Sequence, residues 1–249
     1  MGIETGRKFW ELTKYQHLGQ SEQERGLPIP PLELPIDLEA AKIPLPDARE
    51  LAPKEKFTAL VNARRTVRTY SETELTLEEL AYLLWCTQGV RKVTTRPSTS
   101  RSVPSAGARH ALETLLLVNR VDGLKPGLYR YAAIDHALVP LKSDSELPAL
   151  LRTACLHQDQ IPDSAVTFFW HAAMERMFWR YAERGYRYLH LDAGHACQNL
   201  ALGAEQIGCG ICPIAAFDDE MLNQVLGLNG EDQFVIYLAT VGKKIVAHE

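Results

Sequence analysis

Apolar residues recur along this chain of 249 residues with two different periods. Spacing of three and four residues predicts helices, and short continuous or alternating apolar runs predict strands. The predicted helices are Gly6–Tyr15, Phe57–Arg64, a helix that begins after Thr76, Leu147–His157, His171–Gly185, Tyr188–Ile207 and Glu220–Leu226. The predicted strands are Leu112–Val118, Gly127–Tyr131, Ala137–Leu141, Ala165–Trp170, Ile211–Ala216 and Phe234–Val241. Because helices and strands are mixed without strict alternation, the pattern favours an α+β domain.

Local signals refine this pattern at three places. Thr76 and Glu79 have the spacing of a capping box, and Asp218 is suited to cap the helix that follows it. Residues 88–110 are polar and contain Gly89, Pro97, Pro104 and Gly107. Since glycine and proline interrupt regular structure, we expect this stretch to be a loop.

Proline divides the chain into two regions. Seven of the 14 prolines fall within residues 28–53, so this stretch is expected to be extended rather than helical. Leucine and isoleucine residues lie between the prolines, whereas a disordered linker is usually poor in them. The sequence therefore predicts an N-terminal arm, residues 1–55, that lies on a protein surface, and one domain, residues 56–249. A mobile tail is the alternative for the arm.

Composition excludes several classes of protein. The net charge of −4 disfavours non-specific binding of nucleic acid. No apolar run approaches the ~20 residues that cross a membrane, and no secretory signal is visible. The five cysteines are an odd number and scattered, which favours reduced thiols in a cytoplasmic protein.

Two segments carry residues with ligand-binding chemistry. Arg64-Arg65-Thr66-Val67-Arg68 places three guanidinium groups and a hydroxyl within five residues, which suits a phosphate monoester. A solvated basic turn is the alternative. Pro104–Ala108 is a run of small residues that would let a flat ligand approach the backbone, although it also fits an ordinary turn.

The spacing of Cys209 and Cys212 could form a dithiol pair or half of a metal site, with His195 and Cys197 as further ligands. All four residues also have ordinary packing explanations, and no second pair of this spacing is present. The glycine-rich motifs of nicotinamide-binding Rossmann folds and of P-loop hydrolases are absent.

Several segments, in their order and spacing, resemble the FMN-dependent nitroreductase family. Arg64–Arg68 is similar to its R-R-S-x-R phosphate-binding segment, and Pro213–Asp218 resembles its P-I-x-G-F-D stretch, with Ala216 in place of the glycine. Leu84–Gly89 and Pro104–Ala108 are similar to the SagB-type dehydrogenase branch of the family. Arg109 and His110, however, stand where that branch often has apolar residues.

The resemblance implies a nitroreductase-like α+β fold, in which helices flank a central, mostly antiparallel sheet. It also implies an intertwined homodimer with two FMN sites at the subunit interface. The residues implied to bind FMN are Arg64, Arg65, Thr66, Arg68, Gln88, Pro104, Ser105, Ala106, Gly107, Pro213, Ile214, Ala215, Ala216, Lys243 and Lys244. Pro104–Gly107 would reach the flavin from the partner subunit, and Lys243 and Lys244 would add charge at its phosphate. No catalytic acid, base or metal ligand is assigned, because the flavin supplies the chemistry.

The function expected from this resemblance is an oxidoreductase with a ping-pong mechanism. It would pass hydride or electrons between NAD(P)H or an organic donor and a second substrate, either a small molecule or a modified peptide. The narrower hypothesis is a SagB-type dehydrogenase that oxidises an azoline in such a peptide. The alternative is a non-catalytic flavin- or metal-binding protein, or a dithiol redox module using Cys209 and Cys212. In the expected dimer, the proline-rich arm would wrap the neighbouring subunit.

Overall fold

A seven-stranded antiparallel sheet forms the centre of the protein, in a computed structural model that describes residues 4–47, 49 and 55–245. In chain order, its strands are β1 (Ile43–Pro44), β4 (Leu112–Val118), β5 (Gly127–Ala132), β6 (Ala137–Lys142), β7 (Val166–Ala173), β8 (Cys209–Ile214) and β9 (Gln233–Lys243). A separate hairpin consists of β2 (Val90–Val93) and β3 (Thr99–Arg101). The order across the large sheet is β1-β6-β5-β4-β7-β9-β8, so β8 lies at one edge.

Helices cover both faces of this sheet. The helices of the described residues are α1 (Glu4–Leu12), α2 (Phe57–Ala63), α3 (Leu77–Gln88), α4 (Leu147–Ala154), α5 (Gln160–Asp163), α6 (Met174–Tyr181), α7 (Gly185–Gln206) and α8 (Asp219–Leu226). One hydrophobic cluster joins the sheet to α3 and α7, and a second joins it to α4 and α8. Phe168 belongs to the first cluster and Phe169 to the second, as expected because neighbouring side chains of a strand point to opposite faces. The arrangement confirms the α+β prediction.

Two predicted elements differ from the structure. His171–Ala173 continues strand β7 instead of beginning a helix, because β4 and β9 pair with it on both sides. The stretch 88–110, predicted as a loop, contains the hairpin β2–β3. In both places strand pairing, which is not local in sequence, outweighs local preference.

The predicted caps are present at α3 and α8. The Thr76 hydroxyl accepts a hydrogen bond from the Glu79 N–H at 3.2 Å, and the Glu79 carboxylate accepts one from the Thr76 N–H at 3.0 Å. The Asp218 carboxylate accepts a hydrogen bond from the Met221 N–H at 2.9 Å. These bonds satisfy donors that the first turn of a helix leaves without partners.

The arm lies on its own chain. Three side chains of the domain, those of the buried Arg176 and Trp179 and the half-buried Arg130, donate hydrogen bonds to its carbonyl groups: Arg176 to Pro31, Arg130 to Pro35 and Trp179 to Leu27. These contacts hold the arm on its own chain, because its proline-rich backbone leaves carbonyl groups without internal partners. That the arm also wraps a neighbouring subunit stays a prediction. Residues 1–3, 48 and 50–54 of the predicted arm lie outside the described residues. The boundary at residue 55 stays a prediction.

Across the part of the chain that the structure describes, no helix combines the length and apolar character needed to span a bilayer.

Candidate functional site

The arginine-rich segment runs along the free edge of strand β8. Thr66 forms a parallel bridge with Ile211, and the Val67 N–H donates to the Ile211 carbonyl at 2.8 Å. Gly210 permits this approach, because a Cβ atom there would lie 2.5 Å from a Val67 methyl carbon. Residues 64–68 therefore lie along β8, and residues 213–216 form the end of this strand and its continuation.

Tyr70 fixes the backbone of this segment. Its hydroxyl donates to the Val67 carbonyl at 2.8 Å and shares a hydrogen bond of 2.7 Å with the Thr240 hydroxyl. Its ring packs on Gly242, where a Cβ atom would lie 2.7 Å from the ring carbon Cγ. With the backbone held, the side chains of residues 65, 66 and 68 are exposed at the surface.

The three guanidinium groups here lack counter-ions. Within residues 4–47, 49 and 55–245, no carboxylate lies within ion-pair distance of Arg64, Arg65 or Arg68. The Arg65 guanidinium donates only to nearby carbonyls, those of Asn62 at 2.7 Å and Arg64 at 2.9 Å. This segment therefore retains positive charge for an anion.

The two lysines at the end of β9 have a different environment. Lys243 pairs with Glu79 and also donates to the Ile207 carbonyl at 3.2 Å, and Lys244 pairs with Glu205. Glu79 lies there because it caps α3. The positive charge that the sequence assigned to a phosphate is thus compensated by carboxylates in this structure.

The segment that follows β8 offers backbone donors. Pro213 has no N–H, and Ile214 is still paired with Leu238. The N–H groups of Ala215 and Ala216 have no acceptor among the described residues, although the Ala216 carbonyl accepts a hydrogen bond from the Gln158 side chain at 2.9 Å. Two exposed donors therefore lie just beyond the arginine-rich segment.

A second cluster brings together the other predicted residues. The Ser105 hydroxyl donates to the Asp192 carboxylate at 2.5 Å, and the Ala106 N–H donates to the same carboxylate at 3.3 Å. Burial raises the pKa of Asp192, although these two donors act in the opposite direction. Gln88 accepts a hydrogen bond from Arg101 at 3.1 Å and, with Pro104 and Ser105, lines a cavity of about 10 Å³.

Helix α7 separates the two clusters within one chain. Asp192 holds Ser105 near the start of the helix, whereas Glu205 pairs with Lys244 near its end. At 1.5 Å per residue, these two carboxylates lie about 20 Å apart along the helix axis. A single chain therefore brings the predicted residues together as two half-sites rather than as one site.

The two cysteines of β8 lie on opposite faces of the sheet. Cys209 belongs to the cluster with α3 and α7, and Cys212 to the cluster with α4 and α8. Two strand residues three positions apart point to opposite faces, so these thiols cannot form a disulfide while β8 is intact. Burial raises the pKa of Cys209 to about 12, and burial also raises that of Cys212, although Arg68 opposes the shift there. Both thiols are therefore protonated at neutral pH.

Metal binding gains no support from the residues that the structure describes, since no group of three or more His, Cys, Asp or Glu side chains among them is arranged to hold an ion.

Sequence reasoning did not assign roles to Tyr70 or Asp192. Both act through contacts with residues more than 80 positions away, Thr240 and Ser105 respectively. The only local signal was the position of Asp192 within a mostly apolar helical pattern, where a buried carboxylate needs a partner.

A family model described as the Nitroreductase family matches residues 61–243. The chain belongs to the nitroreductase family. MJ1384 of Methanocaldococcus jannaschii, which carries the name nitroreductase, is 34% identical over 204 residues. The match covers 82% of this chain and 97% of that protein. A crystal structure of a nitroreductase-type protein from Ralstonia eutropha JMP134 has a TM-score of 0.69 at 22% identity and covers 88% of this chain and 95% of its own.

Two further similarities are to a trifolitoxin-processing protein and to a chain of a microcin synthetase complex. TfxB of Rhizobium leguminosarum bv. trifolii, a trifolitoxin-processing protein, is 28% identical over 154 residues. The match covers 60% of this nitroreductase-family chain and only 41% of TfxB. A chain of the E. coli microcin synthetase McbBCD complex, solved with truncated pro-MccB17, has a TM-score of 0.63 at 17% identity. That match covers 96% of this chain and 87% of the other, and at this identity it indicates a shared fold.

Proposed function

We propose that this protein is an FMN-dependent oxidoreductase that works by a ping-pong mechanism. The observation that carries the proposal is the arginine-rich segment, residues 64–68, held in place by Tyr70 with three guanidinium groups that have no counter-ion among the described residues. An exposed cluster of this kind suits a phosphate monoester, the anionic end of FMN.

The neighbouring groups also fit FMN. The free N–H groups of Ala215 and Ala216 are donors suited to the polar edge of the flavin, where negative charge develops on reduction. Ser105, held by Asp192, positions the small-residue loop Pro104–Gly107 for close approach to a flat ring. Bound FMN would accept hydride from a donor and pass it to a second substrate. The protein groups bind and orient it and exclude water.

The separation of the two half-sites favours a homodimer. In a two-fold arrangement, the arginine-rich segment of one subunit would face the Pro104–Gly107 loop and Gln88 of its partner. Each dimer would then hold two FMN sites, and neither subunit would complete a site alone. NADH or NADPH is the expected electron donor.

The narrower proposal is a SagB-type dehydrogenase that oxidises an azoline in a modified peptide. It is supported by the similarity to TfxB, a trifolitoxin-processing protein, and to a chain of the McbBCD microcin synthetase complex, which was solved with truncated pro-MccB17. A small-molecule substrate is the alternative. The dithiol alternative is disfavoured because Cys209 and Cys212 face opposite sides of the sheet.

The test is retention of FMN by purified full-length protein. We expect a yellow protein that releases FMN on denaturation and whose flavin absorbance is bleached anaerobically by NADH or NADPH. Arg64→Ala combined with Arg68→Ala should abolish FMN retention. Arg91→Ala combined with Arg96→Ala removes the same charge from exposed positions of the hairpin region and should leave retention unchanged.

A colourless protein that cannot be reconstituted with FMN would contradict the proposal. If the Arg64/Arg68 variant binds FMN with unchanged affinity, the phosphate site lies elsewhere. If neither NADH nor NADPH bleaches the flavin, the proposal of FMN binding stands, but both coenzymes are excluded as electron donors.

A further inference from the structure

Two arginines flank Gly107 outside the arginine-rich segment at β8. The Arg109 side chain donates from Nε to the Gly107 carbonyl at 3.1 Å. On the other side, Nε of Arg180 lies 2.7 Å from the position that a Cβ atom on residue 107 would take. Both arginine side chains are half-buried. Glycine is needed at this position, where φ is +56° and a side chain would collide with Arg180.

Neither guanidinium group has a counter-ion among residues 4–47, 49 and 55–245. Arg180 forms no hydrogen bond or ion pair with any residue that the structure describes, and it lies over the Tyr181 ring at 5.6 Å from the centroid. Arg109 lies over the Trp179 ring at 5.3 Å. Burial, together with the charge of Arg180, lowers the pKa of Arg109. Two like charges in a half-buried position repel each other, and an anion bound between them would remove that cost.

A polar cavity of about 200 Å³ opens beside Arg180. Its lining residues are Tyr15, Leu18, Gly19, Ser21, Glu24, Arg180, Tyr181 and Ala182. The Tyr181 hydroxyl lies 2.5 Å from the Cβ position of residue 107 and has no hydrogen-bond partner among the described residues, so it is a third donor. The carboxylate among these lining residues, Glu24, is held at Oε2 by the N–H and hydroxyl of Ser21.

The backbone at the cavity wall is strained. Ala182 has φ +45° and ψ −141°, a region that residues with a side chain rarely adopt. Such strain persists only where the surroundings enforce it, and it is common at binding sites. Here it falls directly after Tyr181, at the point where α6 ends beside the cavity.

We propose that Arg109 and Arg180 form a binding site for the anionic group, a carboxylate or phosphate, of a molecule that reacts at the flavin. The reaction at the flavin rests on the proposed function above, whereas the anion site rests on the two guanidinium groups themselves. Within one chain the site is separate from the arginine-rich segment, because α6 precedes α7, whereas Thr66 pairs with β8, which follows α7.

The first experiment measures binding by calorimetry on the full-length protein, with and without FMN. The probes are benzoate, its neutral analogue benzamide and inorganic phosphate. We expect benzoate or phosphate to bind at least about tenfold more tightly than benzamide, and Arg109→Gln combined with Arg180→Gln to remove the difference. Arg91→Gln combined with Arg96→Gln is the matched control and should keep it.

The second experiment identifies the source of the anion by separating the two half-reactions. For the second substrate, kcat/KM for 4-nitrobenzoate is compared with that for 4-nitrobenzamide. A drop of about tenfold in this ratio in the Arg109/Arg180 variant assigns the site to a carboxylate of the acceptor. A comparable weakening of NADH or NADPH binding in the anaerobic reductive half-reaction, with the acceptor ratio unchanged, assigns it to a coenzyme phosphate.

The proposal is wrong if neither benzoate nor, with FMN occupying the arginine-rich segment, phosphate binds more tightly than benzamide. It is also wrong if, under the same conditions, the Arg109/Arg180 variant binds these anions like the original protein. Failure of the unaltered protein to bind FMN would overturn the proposed function alone, since the comparison of benzoate with benzamide does not require flavin. Arg180→Lys keeps the charge and should retain part of the preference for the anion, which a purely structural role of Arg180 would not predict.

Discussion

A buried charge network joins the arm to the sheet, and Glu113 of β4 is its centre. The Glu113 carboxylate accepts a hydrogen bond from Arg176 at 2.5 Å and one from the Leu34 N–H of the arm at 2.9 Å, and it lies 3.4 Å from an Arg130 nitrogen. The side chains of Glu113 and Arg176 are only 4% and 2% exposed. We predict that Glu113→Gln, which keeps the shape and removes the charge, strongly destabilises the fold.

The magnitude follows from the positive charges that this change leaves without their partner. Removing one member of a buried ion pair costs about 3–5 kcal/mol. Arg176 keeps its hydrogen bonds to the carbonyls of Pro31 and His110, so we expect the lower end, about 3 kcal/mol. That is a large fraction of the roughly 5–15 kcal/mol by which folded proteins are stable.

The assay is urea unfolding at fixed protein concentration with FMN in excess, because ligand and oligomer both shift apparent stability. With a slope of about 3 kcal/mol per molar urea, the midpoint should fall by about 1 M. The pair Glu113→Leu with Arg176→Met should cost less than the single change, because the most deeply buried guanidinium group is removed together with its carboxylate. Only Arg130 then loses a charged partner, and it keeps its hydrogen bonds to the Leu34 and Pro35 carbonyls. Glu72→Gln, at an exposed ion pair with Arg120, should shift the midpoint little. If Glu113→Gln shifts the urea midpoint as little as Glu72→Gln does, the reasoning is refuted.

The same network sets a dependence of stability on pH. Burial alone would raise the pKa of Glu113, but the charges of Arg176 and Arg130 outweigh it and hold the pKa below its ordinary value. A carboxyl with a lowered folded pKa contributes stability above its unfolded pKa and loses it as pH falls through the folded value. The difference in unfolding free energy between the original protein and Glu113→Gln should therefore be full at pH 7 and shrink in the acid range below about pH 4.5. An unchanged difference at pH 3 would contradict this assignment.

Three further changes test individual contacts. Gly107→Ala should lower the unfolding free energy by about 1–2 kcal/mol in urea titrations, because φ is +56° and its Cβ would displace Tyr181 and Arg180, whereas Ala108→Gly next to it should not. Tyr70→Phe should weaken FMN binding in fluorescence titrations, because its hydroxyl fixes the Val67 carbonyl; unchanged affinity would show that the segment holds its position without it. Thr76→Ala should lower the free energy of unfolding, measured by thermal denaturation, by about 1 kcal/mol, because it removes half of a capping box. Thr76→Ser keeps the hydroxyl and should retain this stability.

Local patterns predicted the core elements well because their causes are local. The apolar run of β4 was predicted with the bounds observed, and Thr76 and Asp218 cap their helices as expected. The hairpin β2–β3 was missed because its two strands are polar, so their pairing leaves no hydrophobic pattern to detect. A β-strand at residues 171–173 was missed for a related reason, since strands on both sides of the sheet determine it.

The arm and the two lysines after β9 show what motifs and composition do not predict. Prolines predicted an extended segment, but its position depends on buried arginines that are 80 or more residues away in sequence, such as Arg130 and Arg176. Lys243 and Lys244 stand at the expected position after β9, yet each pairs with a carboxylate of a helix. Spacing predicts where a charge is placed along a chain; the partner of that charge depends on the packing of the whole fold.

The two half-sites also predict how a dimer would be built. Gln198 lies close to the midpoint between Asp192 and Glu205, on the exposed face of α7 that also carries Leu191 and Gly194. A Cβ atom on Gly194 would meet no neighbour within 4 Å, so a second helix could approach closely there. A two-fold axis that crosses α7 near Gln198 would bring the Asp192 end of one helix level with the Glu205 end of its partner, because the two helices run antiparallel about such an axis.

Paired cysteines can test this geometry directly. Gln198→Cys should form a disulfide-linked dimer on mild oxidation, since residues on the axis meet their own copies. His190→Cys, also exposed on α7 but about 12 Å from residue 198 along the helix, should not, because its two copies would lie about 24 Å apart. Cross-linking at residue 190 without cross-linking at residue 198 would place the axis elsewhere on the helix. The arginine-rich segment would then meet a different part of the partner than Pro104–Gly107, and the two half-sites could not form the proposed FMN site.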